Sequence, residues 1–269
     1  MTSLEDRKRH IALKLDRAKY HLSELEKELD KFLKQKPFKV AVRIDEQSRK
    51  PIYYVESVEP VPDNISVIAG DCIQNLMTAL DHLAYQLVCS DTNDNPPKPN
   101  GIYFPVAKDQ QSYEDNKQRK MLGASQTTLS AIDSIKPYKG GNDIISTLHA
   151  LNNVEKHRLL LTVGAQADGV ELFHMMSDAM AEVFSKEAMA AFKSMGTFIR
   201  PADKGFPLAP GFELYIGAAD EERKPDMRFR FDVALNETGI LEETHLHEAI
   251  KKFVTEVENV INQLTPLLK

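Results

Sequence analysis

The sequence predicts an α+β protein: a helical bundle with long N- and C-terminal helices, an N-terminal β-hairpin and a small antiparallel sheet before the last helix. Three observations carry this expectation. Apolar residues recur in alternating steps of four and three at both ends of the chain. A central stretch repeats apolar residues at helical spacing. Two regions, one early and one late, carry short runs rich in β-branched and aromatic residues.

From Ser3 to about Lys34 the residues Ile11, Leu15, Ala18, Leu22, Leu25, Leu29 and Phe32 form a heptad seam, with Glu24, Glu26, Lys27, Glu28, Asp30 and Lys31 between them. Pro37 ends the helix. The runs 38–45 and 51–58 read as a hairpin around the polar Glu46-Gln47-Ser48-Arg49-Lys50. A long helix follows over about Ile65 to Val88. Ser90 to Asn100 is rich in Pro, Asp and Asn and reads as a loop. Shorter helices are expected over Gln111–Met121 and Gln126–Ile135. Asn142 or Asp143 suits the N-cap of another over Ile144–Leu161. Past Gly164, the segments 170–174, 197–200, 212–216 and 227–233 look like strands. In the last, Phe229, Phe231 and Val233 alternate with Arg228, Arg230 and Asp232, so one face of that sheet should be wet. Leu246, Ile250, Phe253, Val257, Val260 and Leu264 repeat the seam of the first helix. Two seams in one bundle imply a single domain over 1–269, with helical core 3–35, 65–163 and 243–269, β-hairpin 38–58 and β-rich segment 168–235.

Composition narrows the function classes. A net charge of −6 over 269 residues argues against indiscriminate binding to a phosphate backbone. The basic clusters Arg7-Lys8-Arg9, Lys34-Gln35-Lys36 and Lys156-His157-Arg158 read as solvated faces. Two cysteines make neither a disulfide framework nor a zinc site, and Cys72 reads as a small core residue. The charged first ten residues and the lack of a long apolar window imply a cytoplasmic location and no membrane partner. No metal site and no cofactor are expected, because the ligand spacings and glycine-rich phosphate loops that mark them are missing.

The chemistry concentrates on two helices. Asp71, Asn75, Thr78, His82 and Gln86 recur at three- and four-residue steps and line one side of the central helix. Asp81 points about 100° away from that line. On the later helix His149, Asn153 and Lys156 share a face, with Asn152 and His157 at its edges. Two such faces meeting across a bundle would form a network able to bind an anion or a nucleotide phosphate. The plainer alternative is a structural polar network or a hydrated helix end.

Gly70-Asp71, then Asn75-Leu76-Met77-Thr78-Ala79-Leu80-Asp81-His82-Leu83-Ala84, with Lys156-His157-Arg158 further on, resembles a bacterial and phage-associated family of uncharacterised function. Its members carry a GD-x-x-x-NLR-x-ALDHLA helix and a later KHR. That pattern is similar to the R-x4-6-H signature of HEPN domains, helical and often dimeric modules whose Arg and His cut RNA without metal. Here Met77 stands at the arginine position and His82 is kept. Methionine cannot stabilise charge on a phosphate. The resemblance therefore implies a HEPN-like helical core acting as a binding or interaction module for an anionic ligand or a protein partner, of a kind that also forms homodimers. Its ligand would be anionic, a nucleotide or RNA, on Asp71, Asn75, Thr78, Gln86, Asn153, Lys156, His157 and Arg158. The alternatives are a metal-independent ribonuclease with His82 as general acid/base and Lys156 or Arg158 as cation, and a structural oligomerisation subunit.

Overall fold

The computed structural model describes residues 3–157, 161–171, 185, 187–188, 198–199, 205–220, 222–223 and 227–269. The described residues form an α+β protein with six α-helices and two small antiparallel sheets. The helices are α1 (Leu4–Lys34), α2 (Asp63–Asp91), α3 (Gln110–Lys120), α4 (Gln126–Ile135), α5 (Asp143–His157) and α6 (Leu246–Leu264). The strands are β1 (Phe38–Ile44), β2 (Pro51–Val58), β3 (Val163–Glu171), β4 (Phe198–Ile199), β5 (Glu213–Ile216), β6 (Phe229–Glu237) and β7 (Leu241–His245). No helix among the described residues is long and apolar enough to cross a membrane. The strand expectations at 172–174, 197 and 200 lie outside the described residues, as does Arg158.

Contacts divide the chain into two compact units, each discontinuous in sequence: 1–28, 63–162 and 237–269 form the first, and 29–62 with 163–236 the second. In the first unit α2 is the central element. Ile65, Cys72, Ile73, Leu76, Ala79, Leu80, Leu83 and Leu87 are all inaccessible to solvent, and Met77 is buried with them as a packing residue. Both α5 and α6 lie against it. All six seam residues of α6 are buried, and so are Ile11, Leu15, Ala18 and Leu25 of α1, so both seams are used within the chain.

Side chains pair α1 with α2 in a regular antiparallel register. Arg7 donates to Gln86 Oε1 at 2.9 Å, His82 Nδ1 lies 3.5 Å from the His10 carbonyl, and Lys14 Nζ lies 3.5 Å from Asn75 Oδ1. Further along, the Cys72 thiol donates to the Ala18 carbonyl at 3.3 Å and Asn64 to Glu28 at 3.3 Å. Burial pushes the Cys72 thiol up to about 12, so it is a packing group rather than a nucleophile. Arg7 corrects the reading of Arg7-Lys8-Arg9 as a solvated cluster. It is 3% exposed and bonded to Asp94 at 2.5 Å as well as to Gln86, while Lys8 and Arg9 stay in water.

Local signals set the remaining helices. Asp109 caps α3 by accepting from Ser112 N, Ser125 caps α4 by accepting from Thr128 N, and Asn142 Oδ1 accepts from Ile145 N at the start of α5. Several boundaries differ from expectation, and residues 243–245, expected in the last helix, belong to strand β7, so that helix begins at Leu246. α2 runs three residues further, to Asp91, whose carboxylate accepts from Ser125 N and Thr128 Oγ1 and so ties that helix end to α4. A short 3-10 turn, Pro99–Gly101, interrupts the loop that follows. Described α5 ends at His157, and Leu161 lies outside it.

The second unit holds the hairpin, with β2 flanked by β1 and β5, and a second sheet in which β3 lies between β4 and β6. Its core gathers Val55, Ala165, Ala167, Leu208 and Leu214. β3 begins at Val163, earlier than the sequence led us to expect, because Gly164, Ala165, Ala167, Asp168 and Gly169 have little intrinsic β preference. Pairing on both sides makes the strand. Its polar side is not uniformly wet as expected: Arg228 and Arg230 are exposed, but Gln166 is fully buried and Asp168 nearly so.

Candidate functional site

The polar line of α2 lies along α1 rather than against α5. Asn75, His82 and Gln86 meet Lys14, His10 and Arg7 as described, and two of those three contacts sit at the long limit of a hydrogen bond. Asn75 also donates to the Asp71 carbonyl at 2.8 Å, and Thr78 donates to the Gln74 carbonyl at 2.8 Å, so both spend a group on their own helix. Asp71 is half-buried, and Gln86 is buried and bonded to Arg7. The α2 line and the α5 face therefore do not form the single expected network.

Asp81 takes the place on α2 that the line was expected to hold. Its Oδ1 accepts from the Phe104 N–H at 2.9 Å. Burial pushes its carboxyl above the usual carboxylate range, while that bond and the charges of Lys156, Lys120 and His82 pull it back. Lys120 comes from the last turn of α3. Its Nζ donates to the Val106 carbonyl at 2.9 Å, and burial holds its ammonium below the usual lysine value. Asp81 and Lys120 thus clasp the segment Ile102–Val106, buried except at Tyr103, from two helices. Tyr103 N reinforces the clasp by donating to the Lys120 carbonyl at 3.1 Å.

α5 supplies the rest. Asn153 Nδ2 lies 3.3 Å from His149 Nε2, and an amide nitrogen only donates, so Nε2 accepts and the proton of the neutral ring sits on Nδ1. That Nδ1 is buried without a partner, as is Asn152 Oδ1 three residues on. Burial, then the charges of Lys120 and Lys156, push His149 down to about 4, so it is neutral near pH 7. Lys156 is exposed and Asn153 is exposed. The expected grouping of His149, Asn153 and Lys156 is present on α5; His157 is helical in backbone. Asp81 and Lys120 are the members that sequence reasoning missed. One signal for Asp81 was available: it follows Leu80 at the edge of the apolar stripe and so faces inward. Nothing local in Gln118-Arg119-Lys120 marks Lys120.

Lys120, Lys156 and Asp81 bring two ammonium groups and one carboxylate to this neighbourhood, and the neutral imidazole of His149 offers an N–H with no acceptor among the described residues. Among the described residues no group of three His, Cys, Asp or Glu is placed to hold a metal ion.

Because its folded carboxyl titrates above the unfolded value, Asp81 favours the fold when protonated and loses that contribution as pH rises through the folded pKa. Asp81→Asn keeps an acceptor for Phe104 N without the buried charge. The variant is expected to melt at the same or a higher temperature than wild type at neutral pH, with the advantage shrinking in mild acid. A lower melting temperature at neutral pH would mean that the Lys120 and Lys156 attractions outweigh desolvation.

The chain matches no family model, no curated protein and no solved structure.

Proposed function

We propose that the protein binds an anionic ligand through Lys120, His149, Asn153 and Lys156, with His82 and Asp81 beside them. The observation that carries this reading is a pair of buried polar atoms without partners, His149 Nδ1 and Asn152 Oδ1, one turn apart on α5 and within the field of two lysines. Buried polar groups are nearly always satisfied, so such a pair marks where an acceptor and a donor are missing. A phosphate or carboxylate oxygen would accept from the imidazole and be neutralised by Lys156.

Calorimetric titration with inorganic phosphate and with a nucleoside monophosphate tests it. Lys156→Ala is expected to weaken binding by about ten-fold, the cost of one charged hydrogen bond. His149→Ala should weaken it comparably without altering the melting curve. Unchanged affinity in both variants would sink the reading.

A second reading, metal-independent ribonuclease action, draws on one observation: the charges of His82 and Lys156 both reach Asp81, which puts an imidazole and a cation in one neighbourhood. His82 would act as general acid/base and Lys156 or Arg158 as the stabilising cation. RNA cleavage with chelator present, lost in His82→Ala and leaving 2′,3′-cyclic phosphate ends, would establish it. Absence of cleavage by folded wild type would leave the binding reading alone. A homodimer, if formed, would need surface other than the buried seams; Leu13 and Tyr20 of α1 are exposed and available.

A further inference from the structure

The second unit carries an open cavity of about 380 Å³ unrelated to the α5 face, lined by Phe38, Phe229 and Phe231 together with Lys36 and Arg230. All three rings are half-buried. Phe38 and Phe231 sit 4.7 Å apart between centroids with planes inclined by 34°, and Phe229 leans on Tyr53 at 5.8 Å, so the rings are fixed in position by packing. Asp168 holds Arg230 Nε at 3.5 Å, and the arginine side chain is 62% exposed. Lys36 is exposed and adopts φ +54°, just past the end of α1, where glycine is the residue of least strain.

The charge around this cavity runs against that of the chain. Residues 31–39 contain Lys31, Lys34, Lys36 and Lys39, of which Lys34 is paired with Asp30 at 2.6 Å, in a protein of net charge −6. Packed aromatic edges with two cations at the same opening offer stacking surface and phosphate contacts together. A phosphate offers acceptor oxygens to both the Lys36 ammonium and the exposed Arg230 guanidinium, whose Nε is held by Asp168. A ligand without a ring would leave the phenylalanines unused.

We infer that this cavity receives a nucleotide, its base against Phe38, Phe229 and Phe231 and its phosphate on Lys36 and Arg230. The nucleotide has two sources, a free nucleoside phosphate or one unit of a single strand, and the inference rests on observations separate from those behind the α5 site.

Fluorescence anisotropy of a labelled oligouridylate at low salt, with unlabelled uridine monophosphate as competitor, tests it on the full chain. Lys36→Gly is the informative variant, because relief of the left-handed backbone should leave the melting temperature level or raised. Its affinity is expected to fall about ten-fold, and that of Arg230→Gln similarly. Lys27→Ala, an exposed lysine outside both sites, should bind as wild type does, and Lys156→Ala, measured alongside, reports any share of the oligonucleotide taken by the α5 face. Competition by uridine monophosphate identifies a free nucleotide as the occupant, and binding of the oligonucleotide without competition identifies a strand. No binding by wild type, equal affinity in Lys36→Gly and Arg230→Gln, or loss only in Lys156→Ala would each overturn the inference.

Discussion

Arg7→Ala is expected to destabilise the protein by about 3–5 kcal/mol, the usual cost of removing one partner from a buried ion pair. The guanidinium is 3% exposed and bridges Asp94 of the turn after α2 and Gln86 of α2 itself. Truncation would take the guanidinium donors away from the part-buried Asp94 carboxylate and the buried Gln86 amide oxygen. Asp94 also has a left-handed backbone, φ +60°, so the pair fixes the turn as well as the helix. Asp94→Asn tolerates that conformation and removes only the charge, which makes it the proper second member of a double-mutant cycle. Urea unfolding of the two single variants and the double should show a coupling energy above about 1 kcal/mol. A loss below that figure in Arg7→Ala would mean that water takes over the arginine's role.

Phe104→Ala is expected to cost about 3–5 kcal/mol through the cavity it leaves, since the ring is 1% exposed. Its effect should reach the proposed anion site as well. The segment Ile102–Val106 has few contacts of regular secondary structure; Asp81 holds its Phe104 N–H and Lys120 its Val106 carbonyl. Without the ring as anchor, both side chains lose the backbone that orients them. Phe104→Leu keeps most of the volume and should lose less than about 1.5 kcal/mol. Leu83→Ala, in the core of α2, serves as a control of matched instability. If phosphate affinity falls in Phe104→Ala but not in Leu83→Ala, the segment positions the site. Equal affinities would make it a packing element only.

Much of this fold was legible in the chain. The seam of α6 holds at every one of its six residues, α4 has the expected bounds, and the hairpin pairs as its alternation implied, because each is decided by short-range periodicity and by burial of an apolar face. In α1 the periodicity holds except that Leu22 is only half-buried while His21, beside it, is buried. β3 was not legible, since its small residues become a strand only through pairing with β4 and β6. The candidate site was half legible. Helical spacing says that His149, Asn153 and Lys156 share a face and that Asn75, His82 and Gln86 share another, but not which neighbour each face meets. Arg7, 79 residues before Gln86 and 87 before Asp94, shows the limit most clearly: a charged run reads as solvated until its distant partners are known.

The order in which the chain visits its two units bears on how it is made. α2 emerges from the ribosome early, carrying Ile73, Leu76, Leu80 and Leu83 on its surface, yet the α6 residues that lie against it are synthesised more than 150 positions later. The second unit interrupts this wait, and cannot itself close until 163–236 has joined 29–62. Contacts so distant in sequence slow folding and leave apolar surface open to other nascent chains meanwhile. Translation speed and chaperone supply should therefore govern the yield of this protein more than its final stability does.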